Sequence, residues 1–143
     1  MQALFDTSVL VAALVKSHPL HGRAFPWYLK CRRGELGMLV AAHGLAETYA
    51  ALTVYPSRPR VSPQSAVTLI QASVVAVSTI IALDARDYAA AMEAVARIGR
   101  GGGSIYDALH VVAAQKAGAE LVLSFNGKHF EPIIGPQQQF VAP

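Results

Sequence analysis

Short apolar runs, several of them rich in β-branched residues, alternate along this sequence with longer stretches of helical character. That alternation constrains the fold more than any other feature. Ala3–Phe5, Met38–Val40, Val74–Ile81 and Leu121–Ser124 read as strands, with Phe140–Val141 as a fifth at an edge. Helices are predicted over Thr7–Val15, with Thr7 or Asp6 as the N-cap, and over Leu20–Arg33, with Pro26 near a start or a kink. Others are predicted over Gly44–Thr53, from Ser62-Pro63 to Ser73, over Ala85–Ile98 behind Asp84, and over Ile105–Ala117, closed by Gly118. Strands and helices in this order imply βα units. The expected fold class is α/β, a three-layer α/β/α arrangement around a central, mainly parallel sheet of four to five strands. At 143 residues, one domain spanning 1–143 is expected, burying roughly 68–70% of its unfolded surface.

Composition narrows the class of protein. The chain is 53% hydrophobic and 15% charged, against about 25% charged in ordinary domains. Most helices should therefore have a buried face, and an obligate dimer would also fit. A formal charge of +3 suits phosphate-bearing partners. The basic residues form no long run; the densest groups are Lys30, Arg32 and Arg33, then Arg58 and Arg60. The single cysteine, Cys31, excludes an intramolecular disulfide and favours a reducing, cytoplasmic setting. No apolar run is long enough to span a bilayer. The apolar N-terminal stretch lacks a basic leader and is interrupted by Asp6, so no signal peptide is expected.

Three carboxylates stand out from their surroundings. Asp6 sits in Ala-Leu-Phe-Asp-Thr-Ser-Val-Leu-Val, Glu47 in Gly-Leu-Ala-Glu-Thr-Tyr-Ala-Ala-Leu, and Asp107 in Ser-Ile-Tyr-Asp-Ala-Leu-His-Val-Val. No lysine or arginine lies near any of them in sequence. A buried carboxylate without a partner is costly, and clustering raises carboxyl pKa values by mutual repulsion. A divalent cation removes both penalties. In parallel sheets sites form outside the carboxyl ends of strands, where Asp6, Glu47 and Asn126 all fall. Oxygen ligands favour Mg²⁺ or Mn²⁺ over zinc. Such an ion polarises a phosphate and acidifies water, as phosphodiester hydrolysis requires.

Asp6-Thr7-Ser8 after a first strand, Glu47 in a helix, Tyr106-Asp107-Ala108-Leu109 opening a later helix, and a strand leading into Ser124-Phe125-Asn126 resemble the PIN domain. Within that family the likeness is to the VapC toxins of bacterial type II toxin–antitoxin pairs, and it covers nearly the whole chain. The resemblance implies a magnesium- or manganese-dependent endoribonuclease. It also implies a homodimer and a cognate antitoxin whose tail occupies the acidic groove. Asp6, Glu47 and Asp107 match the family's principal acids and are the expected metal ligands. A fourth position, often Asp in the family, is Asn126 here, which makes one metal the simpler expectation. The alternative is a catalytically degenerate domain that binds RNA or a protein partner without cleaving.

Other residues carry weaker expectations. Ser104, Arg100, Lys128, Thr7 and Ser8 are candidate substrate contacts, the first three because they flank the site. Gly101–Gly103 precede a helix but no Gly-Lys-Ser/Thr follows, so an NTP-binding loop is not expected. His43 with Glu47, and Asp107 with His110, share helix faces. A His/carboxylate metal site is conceivable there, but packing or support of the acids is the preferred reading. His21 and His129 are expected at the surface, and Trp27 and Tyr28 in the apolar face of the second helix.

Overall fold

The computed structural model describes residues Met1–Pro143. Its sheet contains β1 (Gln2–Phe5), β2 (Gly37–Ala41), β3 (Thr79–Ile81), β4 (Leu121–Leu123) and β5 (Gln139–Val141). All neighbours are parallel, in the order β3-β2-β1-β4-β5. The helices are α1 (Thr7–Leu14), α2 (His21–Arg32), α3 (Ala42–Val54), α4 (Pro63–Ser73), α5 (Ala85–Arg97), α6 (Ser104–Lys116) and α7 (Gly127–Phe130). The expected three-layer α/β/α architecture is the one found.

The two-residue repeat of the strands creates the layers. Ala3, Phe5, Met38, Val40, Leu121 and Leu123 face one side, where they meet α1, α2, α3 and α4 through Leu10, Tyr28, Leu52 and Ile70. Leu4, Leu39, Ala41 and Val122 face the other, against Val111 and Ala114 of α6 and Phe130 of α7. Helix α5 covers α6 by packing Ala91 and Val95 on Ala108 and Leu109. Strands β1, β2 and β4 are thus buried on both faces, which is why they read as unbroken apolar runs.

Local chemistry sets most helix boundaries. Ser62 Oγ accepts from Ser65 N at 3.1 Å, with Pro63 opening α4. Asp84 and Asp87 form a reciprocal capping box on α5. Gly118, at φ +66°, turns the chain out of α6.

Two expectations need correction, and one element is additional to them. Val74–Val77 is not strand: Val74 ends α4 and Val75–Val77 form a 3₁₀ turn. Val74 is fully buried there, and Ser78 Oγ donates to its carbonyl at 2.8 Å. Burial and turn closure outweigh the strand preference of three valines, leaving β3 to begin at Thr79. Pro26 sits in the interior of α2, which continues through it; its exposed ring costs one helical hydrogen bond. The short helix α7 was not foreseen. No helix is long and apolar enough to cross a membrane.

Cys31 lies in the core against α2's neighbours, and burial pushes its thiol up to about 11. Native protein at pH 8 should therefore react only slowly with an aromatic disulfide reagent, because the thiolate is scarce and shielded. Urea should release one rapidly reacting thiol per chain. Rapid labelling under native conditions would contradict this placement.

Candidate active site

The strand order reverses between β1 and β4. From β1 the chain moves outward through β2 and β3, then returns to the opposite side of β1. The loops after β1 and β4 therefore part at the carboxyl edge and leave a crevice between them. Asp6 lies at that point, its amide donating to Leu123 O at 3.0 Å.

Asp6 is 3% exposed, and its donors explain how it is tolerated. Oδ2 accepts from Ser8 Oγ at 2.6 Å, from Ser124 Oγ at 2.8 Å and from Ser8 N at 3.4 Å, the last capping α1. Ser8 Oγ also accepts from Phe125 N, and Ser124 Oγ from Asn126 N. One carboxylate oxygen and two hydroxyls thus tie the β1–α1 turn to the loop after β4. Oδ1 lies 3.4 Å from His110 Nε2.

Glu47 occupies the first half of α3. Its Oε1 accepts from His110 Nε2 at 3.1 Å and lies 3.1 Å from His43 Nε2. Burial pushes the Glu47 carboxyl up, but His110 and His43 more than reverse that and hold it at about 2. His110 is raised in turn: burial favours its neutral form, and Glu47, Asp6 and Asp107 together outweigh burial.

Asp107 stands in the first turn of α6, where its Oδ2 pairs with His129 Nδ1 at 2.8 Å. Its carboxyl is raised above the usual range. Burial is the main cause, the His129 hydrogen bond opposes it, and the Asp6 charge adds to it. A carboxyl pushed up by burial and a like charge marks a place where a cation would be welcome.

Asp6, Thr7, Ser8, Glu47, Asp107 and Asn126 line one groove of about 440 Å³ with no lysine or arginine in its walls. Thr7 Oγ1 is buried there without a hydrogen-bond partner. Oxygen donors, surplus negative charge and an unpaired hydroxyl fit a hard divalent cation. The carboxylates nevertheless do not close into one tight cluster. The three groups that do are His43, Glu47 and His110, whose ligand atoms lie within 4.8 Å of one another.

The flanking candidates behave differently. Arg100 does not face the groove; its guanidinium donates to Lys128 O at 2.8 Å and His129 O at 3.4 Å, fastening α7. Lys128 is exposed on α7, and Ser104 begins α6 one turn before Asp107; neither lines the groove. His21 is not a free surface residue, since its Nδ1 bonds Ala12 O at 2.9 Å and its ring stacks on Phe25. His129 is exposed as expected but engages Asp107. Tyr28 is buried as expected, while Trp27 is half-buried with Lys30 Nζ 4.6 Å from its ring centre. Two contributors were missed. Arg23 places its guanidinium 5.5 Å from the centre of Phe125, a groove residue. Ser124 was seen as part of a motif but not as a donor to Asp6.

Comparison with known proteins gives a consistent result. A family model described as PIN domain matches residues 3–132. Ribonuclease VapC27 of Mycobacterium tuberculosis is 33% identical over 116 residues, covering 81% of this chain and 79% of the relative. Ribonuclease VapC40 of the same species is 37% identical over 117 residues, covering 82% and 81%. Among solved structures, Mycobacterium tuberculosis VapC20, described as a sarcin-ricin loop cleaving toxin, superposes with a TM-score of 0.72 at 20% identity. That match covers 93% of this chain and 96% of the other.

Ser124 is fully buried and its hydroxyl donates to a charged acceptor. Ser124→Ala should therefore cost about 1.5–3 kcal/mol in urea unfolding. An unchanged unfolding free energy would show that Asp6 does not depend on that donor.

Proposed function

This chain belongs to the PIN domain family, and we propose that it is a metal-dependent endoribonuclease, the toxin of a bacterial type II toxin–antitoxin pair. The observation that carries the reading is the convergence of Asp6, Glu47, Asp107 and Asn126 on one groove at the switch point of the sheet. The ribonuclease names of the two curated relatives support the reaction class. We take residues 1–143 as a single nuclease domain.

Asp6, Asp107 and Glu47 are the residues that would hold Mg²⁺ or Mn²⁺, with the Asn126 amide oxygen as a neutral neighbour. When bound, the ion supplies charge neutralisation at the scissile phosphate and a more acidic water. The chain's own residues prepare the rest. Ser8 and Ser124 fix the Asp6 carboxylate in one orientation. His110 holds Glu47 ionised, so that its carboxylate is ready to accept a cation. His129 hydrogen-bonds Asp107 and must yield it when a cation enters. Arg100 braces the backbone of α7, while Lys128 and Arg23 offer positive charge to the phosphates of an RNA strand crossing the groove.

A toxin of this kind carries two further partners, a cognate antitoxin that covers the groove and a second copy of the chain. Exposed apolar side chains such as Tyr88 and Met92 on α5 are available for such contacts. The non-cleaving alternative draws no support from the site, where all three acids share one groove.

Purified protein with Mg²⁺ or Mn²⁺ should cut single-stranded RNA. Asp6→Asn and Asp107→Asn should each slow cutting by about 10²-fold or more, with folded-state circular dichroism retained. Undiminished cleavage by either folded variant would remove that residue from the site.

A further inference from the structure

His43, Glu47 and His110 form a second cluster beside the groove, and hydrogen bonding accounts for only part of their polar atoms. Glu47 Oε1 lies 3.1 Å from Nε2 of both rings. The rings face one another with centres 4.4 Å apart and planes tilted by 51°. His110 is 1% exposed, and its Nε2 faces two carboxylate oxygens at once, Glu47 Oε1 at 3.1 Å and Asp6 Oδ1 at 3.4 Å. The His43 side chain is 12% exposed, and neither of its nitrogens makes an aligned hydrogen bond; the 3.1 Å approach to Glu47 is close but off-axis. Buried polar atoms are paired in the great majority of cases, and a bound ion is one of the few physical reasons for exceptions.

We propose that His43, Glu47 and His110 bind a borderline transition-metal cation of the Zn²⁺ type, at a site beside the oxygen-lined groove that shares Glu47 with it. Two imidazole nitrogens and one carboxylate oxygen suit such ions and not Mg²⁺, which prefers an all-oxygen shell. The spacing agrees. With metal–ligand bonds near 2.0–2.1 Å, tetrahedral ligands stand about 3.3 Å apart. Two of the three pairs lie at 3.1 Å, and all three ligand atoms are within 4.8 Å of one another. A small ring rotation completes the set.

The fold places these groups together by a specific device. His43 and Glu47 stand one turn apart on α3, and His110 comes from α6. Between them is Gly44, where an added Cβ would lie 3.0 Å from His110 Cε1. The absence of a side chain lets α3 close onto the ring. Asp6 Oδ1, 3.4 Å from His110 Nε2, adds a second negative charge to balance a dication. Glu47 lines the groove, which gives the ion a way in.

The test is Zn²⁺ titration of the full chain by calorimetry, without RNA, together with the visible spectrum of the Co²⁺-loaded protein. One Zn²⁺ should bind per chain, and Co²⁺ should give the absorption of a nitrogen-ligated, low-coordinate ion. His43→Gln should weaken Zn²⁺ by at least about tenfold, while Asp107→Asn, whose charge reaches His110 only through space, should weaken it by much less. If His43→Gln fails to fold, ¹H–¹⁵N spectra of the wild-type imidazoles decide the matter: Zn²⁺ should move the ring nitrogens of His43 and His110 and not those of His18 or His21. Absence of Zn²⁺ binding, affinity untouched by a folded His43→Gln, or a greater loss in Asp107→Asn than in His43→Gln would overturn the proposal. Because no RNA is cut, failure here leaves the nuclease reading intact.

Discussion

Asp6 is an ionisable group at 3% exposure, where a lone carboxylate would cost several kcal/mol. The surrounding architecture follows from how that cost is met. Oδ2 takes two hydroxyl donors and an amide, which join the end of β1, the start of α1 and the loop after β4. The parallel β1–β4 pairing, Phe5 opposite Leu123, brings those donors within reach. The carboxylate is therefore both a helix cap and a clasp across the switch point. Its second oxygen faces His110.

The other two acids are managed differently, and the differences divide the labour of the site. Glu47 is stabilised as an anion by two histidines. Asp107 is left raised, with only the exposed His129 to relieve it. Negative charge is thus concentrated and uncompensated toward the groove, while the side toward α3 is rich in imidazole. Two kinds of cation environment meet at Glu47, one of oxygens and one of mixed nitrogen and oxygen.

Much of this was legible in the sequence, for identifiable reasons. Helix starts at Asp6, Ser62 and Asp84 carry their signal in the capping residue itself. Doubly buried strands betray themselves as apolar runs, and the parallel order places Asp6 and Asn126 at one edge. What was not legible depends on three-dimensional company. Val74–Val77 has strand composition, but burial of Val74 makes it a turn. Helix α7 is four residues long and too short to show a period, yet it carries His129 to Asp107. Arg100 has the composition of a phosphate ligand and instead braces the backbone. The one local clue to the imidazole cluster was a pair of helical spacings, His43 to Glu47 and Asp107 to His110. Only the meeting of α3 and α6 at Gly44 turns those two pairs into a single constellation.

The central role assigned to Asp6 is to anchor a cation-binding groove that is assembled by the fold before the ion arrives. Thermal unfolding with and without millimolar Mg²⁺ tests this most directly, because an ion that binds the folded chain stabilises it by mass action. Mg²⁺ should raise the melting temperature of the wild-type chain by several degrees and leave that of Asp6→Asn unmoved. An equal rise in both proteins, or no rise in the wild type, would contradict it.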